Sequence, residues 1–237
     1  MDQEKTNPRA EIEKLIGAGN LRELMERAAL MHGHYCPGLA SGVKAARAGM
    51  TRSGLLESEG MEKVMADVEC NNCFVDGIQL VTGCTLGNNA LIYRDLGVTA
   101  VTLYRRGDGT GLRVRVKELT PGTGLSDRET QQARELFEKS VKQRRDLDQE
   151  ETRRFRTLWR KSAYALLDLP EDDLLSFETV EVAEPPYAPI HDSVTCARCG
   201  ETVMESRARL RRGDILCLRC AGEQHGMVDG SGIDVSG

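Results

Sequence analysis

The sequence predicts an α+β chain: an antiparallel or mixed sheet flanked by helices, followed by a small treble-clef or zinc-ribbon-like domain. Three observations carry this. Helix-spaced apolar residues recur early and late in residues 1–184, alternating β-branched runs lie between them, and two CxxC pairs follow a Pro-rich linker near the end. The linker, Glu184-Pro185-Pro186-Tyr187-Ala188-Pro189, is stiff and extended, so it divides the chain into a core domain, 1–184, and a finger with its tail, 185–237.

Glu11 to Met31 reads as an amphipathic helix with Ile12, Leu15, Ile16, Leu21, Leu24, Met25 and Ala28 on its apolar side, loosened at Gly17 to Asn20. It delivers Met31-His32-Gly33-His34-Tyr35-Cys36-Pro37-Gly38, which packs two of the chain's four histidines and a cysteine into a short loop. Imidazole and thiolate are the ligands zinc prefers. Pro37 suits the first position of a new helix, which places Cys36 at a helix N-terminus, where the macrodipole favours the thiolate. The alternative is a buried cysteine with two histidines satisfied by backbone groups. The helix from Leu39 to about Met50 is rich in Gly, Ala and Ser, which permits close approach of another backbone.

Lys63 to Glu69 alternates like a strand and ends at Cys70-Asn71-Asn72-Cys73, after which Phe74 to Val81 has helical spacing. Cys73 then also sits near a helix start. Asp76, three residues on, can orient a ligand, exchange a proton or cap the turn. Cys84 follows in a Gly-bounded turn. Were the helix continuous, eleven residues at about 1.5 Å each would put it roughly 16 Å from Cys73, too far for one tetrahedral zinc. Cys84 is therefore expected as a cleft thiol, a more distant residue or a contributor across a subunit boundary.

Thr99–Tyr104 and Leu112–Lys117 are strands joined through a Gly-rich hairpin connection. Ser126-Asp127-Arg128-Glu129 is a capping box opening a helix to about Lys142, and Asp148 starts another that ends near Leu169-Pro170. The arginines of these helices alternate with acids, as on a solvated face. Phe177 to Ala183 resembles one more strand.

Cys196-Ala197-Arg198-Cys199 and Cys217-Leu218-Arg219-Cys220 have the spacing of a four-thiolate structural zinc site, with Val203 to Leu216 forming the hairpin between the pairs. Zinc binding there supplies on the order of 10 kcal/mol toward folding a segment too small for its own core. Arg207, Arg209, Arg211 and Arg212 make the module locally basic. The tail from Ala221 lacks periodicity and reads as mobile, with His225 incidental.

A net charge of −5 gives no general field for nucleic acid, and no apolar run approaches a membrane span. The polar N-terminus carries no apolar signal region, so a cytoplasmic protein is expected, and its eight cysteines read as metal or redox thiols, not disulfides.

The ordered set His32-Gly33-His34-Tyr35-Cys36-Pro37-Gly38, Cys73-Phe74-Val75-Asp76-Gly77-Ile78-Gln79 and Thr82-Gly83-Cys84-Thr85-Leu86-Gly87-Asn88 resembles the FmdE family, named for one component of formylmethanofuran dehydrogenase. The Cys-pair module resembles the zinc finger appended to many of its members. The resemblance, from about residue 20 to residue 220, implies a dimerising α+β core, a metal-binding cleft and a treble-clef-like finger. It makes His34, Cys36 and Cys73 the leading ligands of zinc or another transition metal, with His32, Asp76 and Cys84 lining the site. Cys70 falls where the family is expected to have another residue, so it reads as a bystander.

The family name derives from a molybdenum or tungsten enzyme of one-carbon metabolism whose other subunits are possible partners, and it does not by itself imply turnover. Nothing resembles a pterin-binding domain or a ferredoxin. The expected function is a metal-binding accessory protein whose core metal has three protein ligands and an open position. In that reading Asp76 carries a proton or orients a ligand. The alternatives are a regulatory module docking protein or nucleic acid through its finger, and thiol redox chemistry between Cys70 and Cys73.

Overall fold

The computed structural model describes residues 7–56, 62–118 and 122–234. The chain divides into two compact units, residues 1–184 and 185–237. In the first, the expected opening helix is two helices, α1 (Ala10–Ala18) and α2 (Leu21–His32). Gly19 takes a left-handed φ of 66° to end α1, and the Asn20 side chain accepts from Glu23 N to start α2. These opposed end signals, on adjacent residues, override the shared apolar stripe.

Helix α3 (Pro37–Arg52) runs through the middle of the unit, and α4 (Cys73–Thr82) packs across it. The small residues decide how close they come. A Cβ on Gly42 would collide with the Phe74 carbonyl, and one on Gly77 would lie 2.5 Å from Val43 N. The two backbones are therefore in direct contact. Strands β1 (Val64–Val68), β2 (Leu91–Tyr93), β3 (Ala100–Arg105), β4 (Thr110–Val116) and β5 (Leu175–Glu181) form one sheet in the order β2-β1-β3-β4-β5. Only the β1–β2 pair is parallel, with Ala66 opposite Leu91, so the sheet is mixed. Val64, Ala66, Val101, Leu103 and Val114 join α3 and α4 in the core. Buried Asp67 and Glu69 take Arg94 at 2.6 Å and Arg113 at 2.6 Å.

Two capping boxes, at Ser126 and Asp148, open α5 (Asp127–Phe137) and α6 (Gln149–Asp168). The first does not run on as α-helix to Lys142. Glu138–Lys142 is a π-helical turn. Helix α6 packs on α3, where the buried Lys44 ammonium donates to the carbonyls of Leu167, at 2.9 Å, and Leu169. It caps the α6 C-terminus from the side. Helix α7 (Glu171–Leu174) leads directly into β5.

The second unit contains the hairpins β6–β7 (Ser193–Thr195, Thr202–Met204) and β8–β9 (Ala208–Arg211, Asp214–Cys217), then the short helix α8 (Leu218–Ala221). The stretch after Ala221 is ordered further than its composition suggests. Strands β10 (Met227–Asp229) and β11 (Gly232–Asp234) pair as a small hairpin. No described helix is long and apolar enough to cross a membrane.

Candidate metal centres

Three helix ends meet at the core site. His32 is the last residue of α2, and Gly33, with φ 89°, turns the chain out of the helix. Cys36 is the N-cap of α3, its sulfur accepting from Leu39 N at 3.3 Å. Cys73 is the first residue of α4, whose N-cap is Asn72. Both cysteines thus lie at the positive ends of helix dipoles, which favour thiolate. Gly38 lets the loops close, since a Cβ there would lie 3.1 Å from Cys73 Cβ.

The ligand atoms of His32, His34, Cys36 and Cys73 all lie within 4.8 Å of one another. Cys36 Sγ is 3.8 Å from His32 Nε2. Nitrogen and sulfur bound tetrahedrally to one zinc would stand about 3.6 Å apart, so only a small adjustment separates this pair from a coordinated geometry. His32 Nδ1 meets Asp76 Oδ2 at 2.6 Å, and Gln79 Nε2 donates to Asp76 Oδ1 at 3.2 Å. That is the carboxylate–histidine–metal arrangement: the carboxylate fixes the tautomer that leaves Nε2 free to ligate. Asp76 is accordingly a holder of His32, and the helix cap is Asn72.

Protonation supports the same ligand chemistry. A hydrogen bond from Cys36, with His32 and His34 beside it, pulls the Cys73 thiol down to about 5. Cys36 is pushed up by its bond to Cys73 and by burial. Burial, and then the neighbouring His32, lowers His34. At neutral pH the site therefore offers one thiolate and one thiol, and metal binding releases the proton of the second.

His34 is the exposed member, its ring 4.3 Å from that of His32 and 6.3 Å from Trp159. Tyr35, between His34 and Cys36, donates to Glu26 of α2, as does Tyr164 of α6, and Arg160 lies over the Tyr35 ring at 4.7 Å. Neither Trp159 nor this Glu26 anchor was visible in the sequence, because they come from α6 and an earlier turn of α2 with no motif spacing. Tyr35's place between two ligands was the available hint.

Cys84 and Cys70 are not members of the cluster. The Cys84 thiol is buried, donates to the Val64 carbonyl at 3.3 Å, and is pushed up by burial to about 11. Cys70 is likewise buried and raised.

In the second unit Cys196, Cys199, Cys217 and Cys220 also converge within 4.8 Å. Cys199 and Cys217 sulfurs are 3.9 Å apart, close to the roughly 3.8 Å edge of a zinc–thiolate tetrahedron. The first pair comes from the β6–β7 turn, the second from the first turn of α8. Backbone N–H groups of Cys199 and Cys217 lower Cys196 to about 6.

Fold and sites together define a small α+β metal-binding protein with a separate four-cysteine zinc-finger domain. Residues 31–176 match the family described as FmdE, molybdenum formylmethanofuran dehydrogenase operon, and the chain belongs to that family. Residues 192–224 match the prokaryotic dksA/traR C4-type zinc finger. A probable S-adenosyl-L-methionine-binding protein of Archaeoglobus fulgidus is 38% identical over 217 residues, covering 90% of this chain. The chain spans 56% of that relative's length. The crystal structure of a tungsten formylmethanofuran dehydrogenase FmdE-like protein from Syntrophus aciditrophicus shares the fold, with TM-score 0.50 and 23% identity, over 85% of this chain and 92% of that one.

Proposed function

We propose that this chain is a metal-binding accessory protein of a molybdenum or tungsten formylmethanofuran dehydrogenase, or of a related one-carbon system. It holds zinc or another transition metal at His32, His34, Cys36 and Cys73, and structural zinc at its four finger cysteines. The observation that carries the core site is the convergence of four ligand atoms within 4.8 Å, with the outer nitrogen of His32 held by Asp76. His34 is the exchangeable ligand. It alone is exposed and sits on a loop, whereas Cys36 and Cys73 are fixed by helix ends and His32 by a carboxylate. Displacement of His34 provides the open position, where a metal would polarise a carbonyl or formyl oxygen or acidify water.

Metal per chain, measured on the full-length protein, tests this. The wild type should carry about two metals, and Cys36→Ser and Cys199→Ser about one each, lost from different sites. Two metals retained in Cys36→Ser would defeat the core assignment. Association of the core as a homodimer belongs to the same proposal and is read by sedimentation. S-adenosyl-L-methionine, named for the archaeal relative, is the first soluble ligand to titrate.

A second reading makes the finger a docking module. Leu210 and Ile215, directly opposite each other on β8 and β9, are both exposed, which favours a protein partner. Arg209 and Arg211 both turn to Glu223, which reduces the charge available to nucleic acid. Salt-dependent binding of nucleic acid, lost on neutralising Arg209, Arg211 and Arg212, would reverse that preference.

A further inference from the structure

A cavity of about 450 Å³ lies beside the core centre, between α6 and the end of α5. Its inner wall contains Pro37, the residue after the ligand Cys36, and Trp159, whose ring also neighbours His34. Phe137 stacks on Trp159 at 5.7 Å and 17°, and Leu125 adds a further apolar side chain to the lining. This size is in the range of small-molecule sites, and an apolar lining with few polar groups is their usual composition.

Two features distinguish the cavity from a packing gap. The wall includes Glu138 and Lys142 of the π-helical turn Glu138–Lys142, a rare conformation whose instances within helices are frequent at functional sites. The rim also holds an unbalanced charge. Lys142 is neutralised by Glu138 at 3.0 Å, while Arg134 makes no ion pair among the described residues.

We infer that this cavity is the ligand site serving the metal centre. It takes a small molecule with a flat, apolar body and one anionic group, the body packed against Trp159, Phe137 and Leu125 and the anion on Arg134. This rests on the proposed metal site for its purpose, because the ligand's far end would lie against Pro37, next to Cys36. It does not rest on that site for binding. The aromatic walls supply the apolar contact, and the guanidinium selects the anion.

Trp159 is the chain's single tryptophan, so its emission reports on the cavity without labelling. The full-length, metal-loaded protein is titrated with 8-anilinonaphthalene-1-sulfonate, an aromatic anion, and with neutral N-phenyl-1-naphthylamine. Both should quench Trp159, with energy transfer to the probe. Arg134→Gln should weaken the sulfonate on the order of tenfold and leave the neutral probe unchanged. Leu125→Ala, which trims the apolar lining, should weaken both. Equal sulfonate affinity in wild type and Arg134→Gln, or probe binding that leaves Trp159 emission unmoved, would overturn the inference. Metal content measured on the same samples keeps the two readings apart. Arg134-dependent binding in a chain without core metal would retain the cavity and remove the metal reading. A loaded core whose cavity takes neither probe would do the reverse.

Discussion

Removing the carboxylate behind His32 is the most discriminating perturbation of the core centre. Asp76→Ala deletes the 2.6 Å contact that holds His32 Nδ1 and leaves the four ligands themselves in place. Outer partners of this kind typically contribute 10- to 100-fold to metal affinity, about 1.4 to 2.8 kcal/mol. The lower part of that range is expected, since the Asp76 side chain is 37% exposed and water can take over part of the carboxylate's contact with His32. Asp76→Asn retains an acceptor for Nδ1–H but no charge, and should fall between Ala and wild type. The assay is competition with a chromophoric chelator on the full-length protein, with the finger as an internal reference whose affinity does not move. Core affinity unchanged in both variants, with the finger also unchanged, would refute the role of Asp76 and weaken the case for His32 as a ligand.

The helix crossing makes a second prediction: Gly77→Ala, whose Cβ meets α3 backbone at 2.5 Å, should destabilise the protein by about 2 kcal/mol or more, read as a lowered thermal midpoint. Lys44→Met should cost about 1 to 3 kcal/mol in chemical denaturation, because the carbonyls of Leu167 and Leu169 lose their buried donor. A fourth concerns pH. The Cys73 thiol titrates lower in the fold than when unfolded, so the metal-free core gains stability as pH rises from about 5 toward the ordinary thiol value and loses it as pH falls through about 5. Thermal melts of metal-free Cys199→Ser and of its double variant with Cys73→Ser should show that slope only where Cys73 is present.

The candidate metal-binding residues were legible because their chemistry is local, although the sequence placed His32 only beside the site and the structure brings it into the cluster. His32, His34 and Cys36 lie in one short loop, Pro37 after Cys36 announces a helix start, and two CxxC pairs announce the finger. The small residues of α3 likewise signalled close helix contact, and Gly42 against Phe74 supplies it. Other features were hidden. The three-residue β2 is too short to show a strand pattern and is defined by its parallel pairing with β1, and the loosening read at Gly17 to Asn20 is a full break, with an end signal at Gly19 and a start signal at Asn20.

The sequence by itself marked candidate metal-binding side chains and the helix starts at Pro37, Ser126 and Asp148, because residue chemistry, capping and proline act over a few neighbours. Tertiary structure alone decided that Asp76 holds His32, that Cys84 and Cys70 stand apart from the cluster, and that Trp159 neighbours His34. Those relations join residues 44 to more than 100 positions apart, and only the packing of α2, α3, α4 and α6 brings them within contact.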